Sequence, residues 1–175
     1  HVLDIGVGTA TFAILCAKKG AKILGIDISP KMLTQAKQNV EAANLMDCIN
    51  IKEMSAIEMD THIPNQTYDK IVVTLVLSEL TEAEQQFTLD QCYRILNPRG
   101  LLIIEDEVNP LFWLKKVIHY FIRLPLMILT YLIAQVTTKP LKRIEQKLSE
   151  AHFKIESTSR YFMDSLVLIV AKKEV

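Results

Sequence analysis

Apolar and polar positions along the chain follow two alternating periods. Short runs of Val, Ile and Leu, typical of buried strands, are separated by stretches whose apolar residues recur at helical spacing. The short runs predict strands at residues 2–5, 22–27, 48–52, 70–75, 101–104, 155–161 and 166–171. The helical spacing predicts helices at residues 9–19, 30–43, 81–97 and 141–151. Because strands and helices alternate, we predict an open, mostly parallel α/β sheet with helices on both faces.

Residues with known positional preferences mark the helix ends. Ser29 suits the N-cap of the second helix, with Pro30 at its first helical position. Thr81 and Glu84 have the spacing of a capping box, in which each side chain bonds the backbone N–H of the other residue. Gly20 follows the first helix, at the position where a left-handed residue ends many helices. These signals support the predicted boundaries independently of hydrophobicity.

The alternation of strands and helices breaks after the fifth strand. Residues 111–138 form a long apolar stretch where a doubly wound fold would carry one short crossover helix, so we predict a helical insertion at residues 109–139. The last two strands are joined by a short link around Asp164, which cannot hold a parallel crossover. We therefore predict a seven-stranded sheet with an antiparallel last strand, within a single domain at residues 1–175.

Composition narrows the classes of protein. The 175 residues carry 20 Lys and Arg against 20 Asp and Glu, and 50% of them are hydrophobic. Such a chain is not disordered, and zero net charge argues against a general nucleic-acid binder. The three cysteines are far apart in sequence, which favours a reducing, cytoplasmic location over a disulfide framework or a zinc site. Because a strand starts directly after His1, we expect that an N-terminal part of the domain is missing.

The strongest chemical motif lies between the first strand and the first helix. Gly6 and Gly8 allow a ligand to approach the backbone closely, and the following helix start offers free N–H groups. Asp27 follows Asp4 by 23 residues and ends the second strand, where a carboxylate can accept hydrogen bonds from ribose hydroxyls. Together these features predict an adenosine-containing ligand at the carboxyl edge of the sheet.

The identity of that ligand depends on charge. The third glycine of a dinucleotide fingerprint is absent, because Thr11 stands at its position. The Asp4 carboxylate would repel a pyrophosphate, whereas it would attract the ammonium and sulfonium of S-adenosylmethionine. We therefore predict S-adenosylmethionine as the cofactor and keep an NAD-type Rossmann oxidoreductase as the alternative.

Several stretches carry a resemblance to a known family: Asp4-x-Gly6-x-Gly8-x-Ala10, Gly25-Ile26-Asp27-Ile28-Ser29-Pro30, Tyr68-Asp69-Lys70-Ile71-Val72 and Leu96-Asn97-Pro98-Arg99-Gly100-Leu101-Leu102. They resemble the motifs of class I S-adenosylmethionine-dependent methyltransferases, which have a Rossmann-like sheet. The resemblance covers nearly the whole chain except the insertion. Within the family the chain is similar to the ubiquinone/menaquinone-biosynthesis methyltransferases. Residues 123–140 also look like corrinoid-protein-associated methyltransferases.

This resemblance implies which residues bind the cofactor. The residues that would surround the methionine moiety are Asp4, Gly6, Gly8 and Ala10. The residues that would contact the ribose and the adenine ring are Asp27, Ile28 and Met32. Thr74, at the end of the fourth strand, would also face the cofactor.

Two positions depart from the family pattern. Ser55-Ala56 stands where the family usually has an acidic residue and a small one at the adenine amino group. Ala10 replaces a third glycine, which is tolerable if its φ angle is negative. The Ser55 departure keeps open a second alternative, a non-catalytic module that binds cofactor and a partner.

The acceptor side of the site is less sharply marked. The polar residues expected there are Ser78, Glu79, Glu105 and Asp106. Glu79 is our candidate for acceptor contact or general base; alternatively it is a solvated residue before a helix cap. The chain lacks the Asn/Asp-Pro-Pro-Tyr/Phe run that the resemblance would require for nucleic-acid bases or protein amides. We predict methyl transfer to a small or hydrophobic acceptor, which includes lipid-like and quinone-like molecules.

The predicted insertion is apolar and basic. Lys115, Lys116, His119 and Arg123 fall on one arc of a helix whose remaining surface is apolar. This pattern fits a lid over the substrate, a helix on an anionic membrane surface, or a contact with a partner such as a corrinoid protein or a second copy. The sequence leaves these alternatives and the oligomeric state open.

Overall fold

The computed structural model describes residues 1–110 and 139–174. The strands are β1 (Val2–Ile5), β2 (Ile23–Asp27), β3 (Ile49–Glu53), β4 (Tyr68–Thr74), β5 (Leu96–Glu107), β6 (Phe153–Tyr161) and β7 (Leu166–Lys173). The α-helices are α1 (Thr11–Ala17), α2 (Pro30–Ala42), α3 (Met59–His62), α4 (Glu82–Ile95) and α5 (Ile144–Glu150). Most of the predicted insertion, residues 111–138, lies outside the described residues, and so do the predictions made for it.

The seven strands form one sheet in the order β3-β2-β1-β4-β5-β7-β6. Neighbours from β3 to β5 pair in parallel, whereas β7 runs antiparallel to both β5 and β6. The predicted Rossmann-like sheet with an antiparallel last strand is therefore confirmed. The strand order reverses between β1 and β4, and an open α/β sheet binds ligands in the crevice at such a reversal.

Helices cover both faces of the sheet, as predicted. Successive strand residues point to opposite faces, so Ile71 and Val73 of β4 join a different buried cluster from Val72. The cluster on one face includes the apolar sides of α1 and α2, and the cluster on the other includes those of α4 and α5. Both faces of the central strands are buried, which explains why their sequences read as nearly continuous apolar runs.

Helix ends follow the predicted signals. The Ser29 side chain accepts a hydrogen bond from the Met32 N–H at 3.4 Å. Gly20 has a φ of 91°, and its N–H donates to the Ala17 carbonyl at 2.9 Å, which ends the first helix. The hydroxyl of Thr81 accepts from the Glu84 N–H at 3.3 Å while Glu84 Oε2 accepts from the Thr81 N–H at 2.8 Å.

The largest differences from the predicted elements lie in three regions. The first helix covers only Thr11–Ala17, because the turn before it continues to Ala10. The fifth strand starts at Leu96 instead of residue 101, since Pro98 and Gly100 form an irregularity inside the strand and do not precede it. Residues after β3 contain a 3-10 helix at Ala56–Glu58 and then α3, where the sequence predicted a polar loop.

The capping box of α4 gives a prediction for stability. We expect Thr81→Ala to lower the free energy of unfolding by about 1 kcal/mol, because the Glu84 N–H loses its acceptor. Urea denaturation of the wild type and the variant measures this difference. Thr81→Ser keeps the hydroxyl and is expected to retain most of the stability; equal losses in both variants would contradict the capping role.

Candidate functional site

The turn between β1 and α1 forms the floor of the crevice. Gly6 and Gly8 have φ angles of 76° and 52°, in the left-handed region that favours glycine. A Cβ atom on Gly6 would overlap Val76 Cγ2 and would lie 3.3 Å from the Thr74 carbonyl oxygen. Glycine is therefore required at position 6 by both conformation and space, and the end of β4 lies directly against this turn.

Ala10 corrects one expectation. The replacement of a third glycine by alanine was expected to be tolerable if its φ angle were negative, but the φ of Ala10 is 63°. Its side chain is fully buried with the apolar sides of α1 and α2, and its carbonyl accepts from the Ile14 N–H at 2.9 Å. Burial of the methyl group offsets the cost of the left-handed conformation, so Ala10 has a packing role beneath the turn.

Asp27 connects this turn to the end of β2. Its Oδ2 accepts from the Gly8 N–H and its Oδ1 accepts from the Ser29 N–H, both at 2.9 Å. The carboxylate is half-buried, and each oxygen has a further lone pair for a ligand. The side chain thus fixes the glycine turn and also presents acceptor positions to the crevice.

Asp4 is a buried carboxylate without a hydrogen-bond donor in the described chain. It lies in β1 directly before the glycine turn, and only 3% of its surface is exposed. Burial, together with the nearby charge of Asp27, raises the pKa of Asp4 from 3.8 to about 7. A buried charge without a partner is unfavourable. A cationic ligand in the crevice would compensate it, and the ammonium and sulfonium of S-adenosylmethionine fit this requirement.

The far side of the crevice beyond β2 contains exposed apolar surface and a small cavity. Ile28 and Met32 are 64% and 45% exposed, and their apolar surface suits stacking against a flat ring. A cavity of about 280 Å³ lies beside Ile28 and includes Ser55 and Glu58 in its wall. Met32 is not part of that wall.

Ser55 has a structural role that the sequence did not reveal. Its hydroxyl accepts from the Ile57 N–H at 3.4 Å, and its own N–H donates to Glu58 Oε2 at 2.7 Å. This capping box starts the 3-10 helix at Ala56–Glu58, in which Ala56 is buried. The Ser-x-x-Glu spacing of Ser55 and Glu58 was the signal that could have identified it. Glu58 places a carboxylate in the cavity wall, where Ser55 has only a hydroxyl group.

A larger cavity, of about 630 Å³, lies beyond the ends of β4 and β5. The residues in its wall are Ser78, Glu79, Leu80, Thr81, Glu82, Gln85, Asn109, Lys139, Pro140 and Lys142. Burial raises the pKa of Glu79, and the charges of Asp106 and Asp27 raise it further. Glu79 is thus at the wall of the cavity, and the charge of Asp27 acts on it, but the residue is exposed, so the alternative of a solvated residue before the helix cap stays open.

Asp106 faces the backbone and not the cavity. This fully buried carboxylate accepts from the Ser78 N–H at 3.1 Å and from the Glu107 N–H at 2.7 Å. Thr74 pairs with Glu105 across the sheet and lies beside Gly6. Of the polar residues that the sequence placed on the acceptor side, Ser78 and Glu79 line the cavity, while Asp106 supports the segment that carries them.

Comparisons with known proteins agree with this geometry. The family profile of the methyltransferase domain matches residues 2–100. A demethylmenaquinone methyltransferase of Symbiobacterium thermophilum is 30% identical over 113 residues, which are 63% of this chain and 43% of that protein. A carboxy-S-adenosyl-L-methionine synthase of Campylobacter jejuni is 31% identical over 124 residues, 69% of this chain and 50% of the synthase. The chain thus spans about half the length of these relatives.

A solved structure shows the same fold. The magnesium protoporphyrin IX methyltransferase of Synechocystis, crystallised with bound SAH, superposes with a TM-score of 0.74 at 19% identity, covering 99% of this chain and 74% of that one. The chain belongs to the methyltransferase domain family and, within it, to the class I S-adenosylmethionine-dependent methyltransferases. Neither an NAD-type oxidoreductase nor a non-catalytic partner module gains support from these comparisons.

The predicted contacts of residues 111–138 with a membrane or a corrinoid protein lie outside the described residues. Within residues 1–110 and 139–174, no helix combines the length and the apolar character needed to cross a bilayer.

The buried Asp4 carboxylate gives a prediction for pH dependence. Its pKa is higher in the folded than in the unfolded chain, so the folded state loses stability as pH rises from about 4 through about 7. We expect Asp4→Asn to remove this loss. We then expect urea denaturation without cofactor to show that the free energy of unfolding of Asp4→Asn, relative to that of the wild type, rises by about 2.5 kcal/mol between pH 5 and pH 8.

The matched control is Asp60→Asn, which makes the same chemical change at an exposed position of α3. Its stability relative to the wild type is expected to stay constant between the two pH values. A parallel response of Asp4→Asn and Asp60→Asn would show that Asp4 does not titrate in a buried environment.

Proposed function

We propose that this chain binds S-adenosylmethionine and transfers its methyl group to a small-molecule acceptor. The observation that carries the proposal is the buried Asp4 carboxylate, which has no hydrogen-bond donor in the described chain and lies near Asp27 at the glycine turn. Membership of the methyltransferase domain family supports the same conclusion.

The cofactor residues divide into three groups by their surroundings. Asp4, Gly6 and Gly8 are at the floor of the crevice, next to Thr74, and suit the positively charged methionine end. Asp27 retains lone pairs that suit the ribose hydroxyls. The groups that suit the adenine ring are Ile28, Met32, Ser55-Ala56 and the Glu58 carboxylate.

Methyl transfer requires alignment and, for some acceptors, removal of a proton. S-adenosylmethionine supplies an electrophilic methyl group when bound. The protein holds the acceptor in the cavity that Glu79 lines, and this confinement can lower the barrier by about 7–11 kcal/mol. Because its pKa is raised above the ordinary value, Glu79 is better suited to accept a proton from the acceptor hydroxyl or amine than an ordinary glutamate.

The cavity wall supports an acceptor with a polar reacting end. Glu79 and Glu82 are on one side, and Lys139 and Lys142 come from the chain that follows the predicted insertion. The relative from Symbiobacterium thermophilum acts, by its name, on demethylmenaquinone, so a quinol-like acceptor is the first class to test. Contact of residues 111–138 with the apolar part of such an acceptor, or with a membrane that contains it, belongs to this proposal.

Cofactor binding is tested by calorimetry with S-adenosylhomocysteine (SAH), S-adenosylmethionine and NADH. We expect binding of SAH and S-adenosylmethionine, and Asp27→Ala is expected to weaken SAH binding by about 1.5–3 kcal/mol because charge-assisted hydrogen bonds are lost. Since Asp27 also holds the Gly8 and Ser29 N–H groups, urea denaturation must show that the variant is folded. Binding of NADH alone would overturn the proposal, and unchanged SAH affinity would refute the ribose assignment.

The proton-accepting role is tested with Glu79→Gln. We expect this variant to keep the SAH affinity of the wild type and to lose at least about tenfold in the rate of methyl transfer to demethylmenaquinol, because general-base catalysis contributes 10²–10⁴-fold. Transfer is measured with methyl-labelled S-adenosylmethionine. Glu145→Gln, on α5 and exposed, is the control. A Glu79→Gln rate equal to that of the control would contradict the role.

A further inference from the structure

The segment Leu77–Leu80 is held by groups from three separate parts of the chain: β5, α4 and Lys139. It carries Ser78 and Glu79 to the wall of the larger cavity. On one side, the buried Asp106 carboxylate of β5 accepts the Ser78 N–H at 3.1 Å, and the Lys139 N–H donates to the Ser78 carbonyl at 3.0 Å. These contacts fix the middle of the segment but leave its two ends to be held by other groups.

Gln85 of α4 holds both ends. Its Nε2 donates to the Leu77 carbonyl at 2.8 Å and to the Leu80 carbonyl at 3.1 Å. Only 6% of Gln85 is exposed, so these bonds are largely shielded from water. The amide group thus bridges the residues immediately before and after Ser78 and Glu79.

Lys147 of α5 determines which way this amide points. Its Nζ donates to Gln85 Oε1 at 2.5 Å and has no other hydrogen-bond partner in the described chain. An ammonium group can only donate, so the amide oxygen must face Lys147 and the NH₂ group must face the two carbonyls. With the amide reversed, two donors would meet at Lys147 and a buried oxygen would meet the carbonyl oxygens of Leu77 and Leu80.

We propose that Lys147 acts through Gln85 as a positioning residue, which holds the segment Leu77–Leu80 and with it Glu79 at the wall of the cavity. The proposal rests on the proposed role of Glu79 in the methyl-transfer site. Neither Gln85 nor Lys147 needs to touch the acceptor or the cofactor for this purpose. Lys147 lies beyond residues 2–100, which the methyltransferase domain profile matches.

Hydrogen exchange measured by mass spectrometry tests this without an acceptor. We expect the amides of residues 76–80 to exchange at least about tenfold faster in Lys147→Met and in Gln85→Met, because buried hydrogen bonds to a charged group are lost. In Gln85→Met, the additional Lys147→Met change is expected to have no further effect on this segment. Additive effects of the two changes, or wild-type exchange in both single variants, would overturn the proposal.

Two further variants separate positioning from general stability. Lys173→Met removes another buried lysine, whose Nζ donates to the Leu96 carbonyl at 2.8 Å, and is expected to leave residues 76–80 unchanged. Gln85→Glu keeps the shape of the side chain and an acceptor for Lys147, so we expect this variant to fold even if the methionine variants do not. It cannot donate to Leu77 and Leu80, and we expect faster exchange of residues 76–80; wild-type exchange would overturn the proposal.

A titration of the Glu79 carboxyl carbon by NMR reports on its position directly. Burial and the charges of Asp106 and Asp27 raise the pKa of Glu79 in the wild type. Release of the segment is expected to lower this pKa towards its ordinary value in Lys147→Met but not in Lys173→Met. The NMR signal is assigned to Glu79 by its loss in Glu79→Gln. An unchanged pKa in Lys147→Met would count against positioning. Hydrogen exchange and the NMR titration do not depend on catalytic turnover. They therefore test the positioning of Glu79 even if the protein does not methylate demethylmenaquinol.

Discussion

The two backbone hydrogen bonds of Asp27 are the interaction on which the crevice depends. By accepting the N–H groups of Gly8 and Ser29, one carboxylate joins the glycine turn, the end of β2 and the start of α2. N–H groups at and before a helix start have no intrahelical acceptor, and a charged acceptor makes the strongest hydrogen bond to them. Asp27 fixes the turn that follows Asp4 in this way, and its own charge contributes to the raised pKa of Asp4.

The same carboxylates define the electrostatic character of the carboxyl edge of the sheet. The charge of Asp27 raises the pKa of Asp4, the charges of Asp106 and Asp27 raise that of Glu79, and burial raises the pKa values of Asp4, Glu79 and Asp106. Protonation or a bound cation relieves this repulsion, whereas a pyrophosphate would increase it. The charge distribution therefore agrees with the family assignment for a physical reason that is independent of sequence similarity. The same charges and burial raise the pKa of Glu79 above its ordinary value.

The sheet and the glycine turn could be predicted from the sequence because local rules encode them. Apolar runs, the caps at Ser29 and Thr81, and the short link around Asp164 each act over a few residues. The role of Ser55 was missed because the family comparison treated it as a missing acid, although its pairing with Glu58 is equally local. The contact of Gln85 with Lys147 joins residues 62 positions apart, and no periodic pattern contains that information.

The boundary of the family match explains why the cofactor is better defined than the acceptor. Residues 2–100 contain the glycine turn, Asp27 and Glu79, and this is the part that the methyltransferase domain profile recognises. The wall of the larger cavity also uses Asn109 and residues 139–142, which lie outside the match. A relative of similar identity is named as a carboxy-S-adenosyl-L-methionine synthase. Similarity at this level is thus compatible with different reactions, so the family match alone does not define the acceptor.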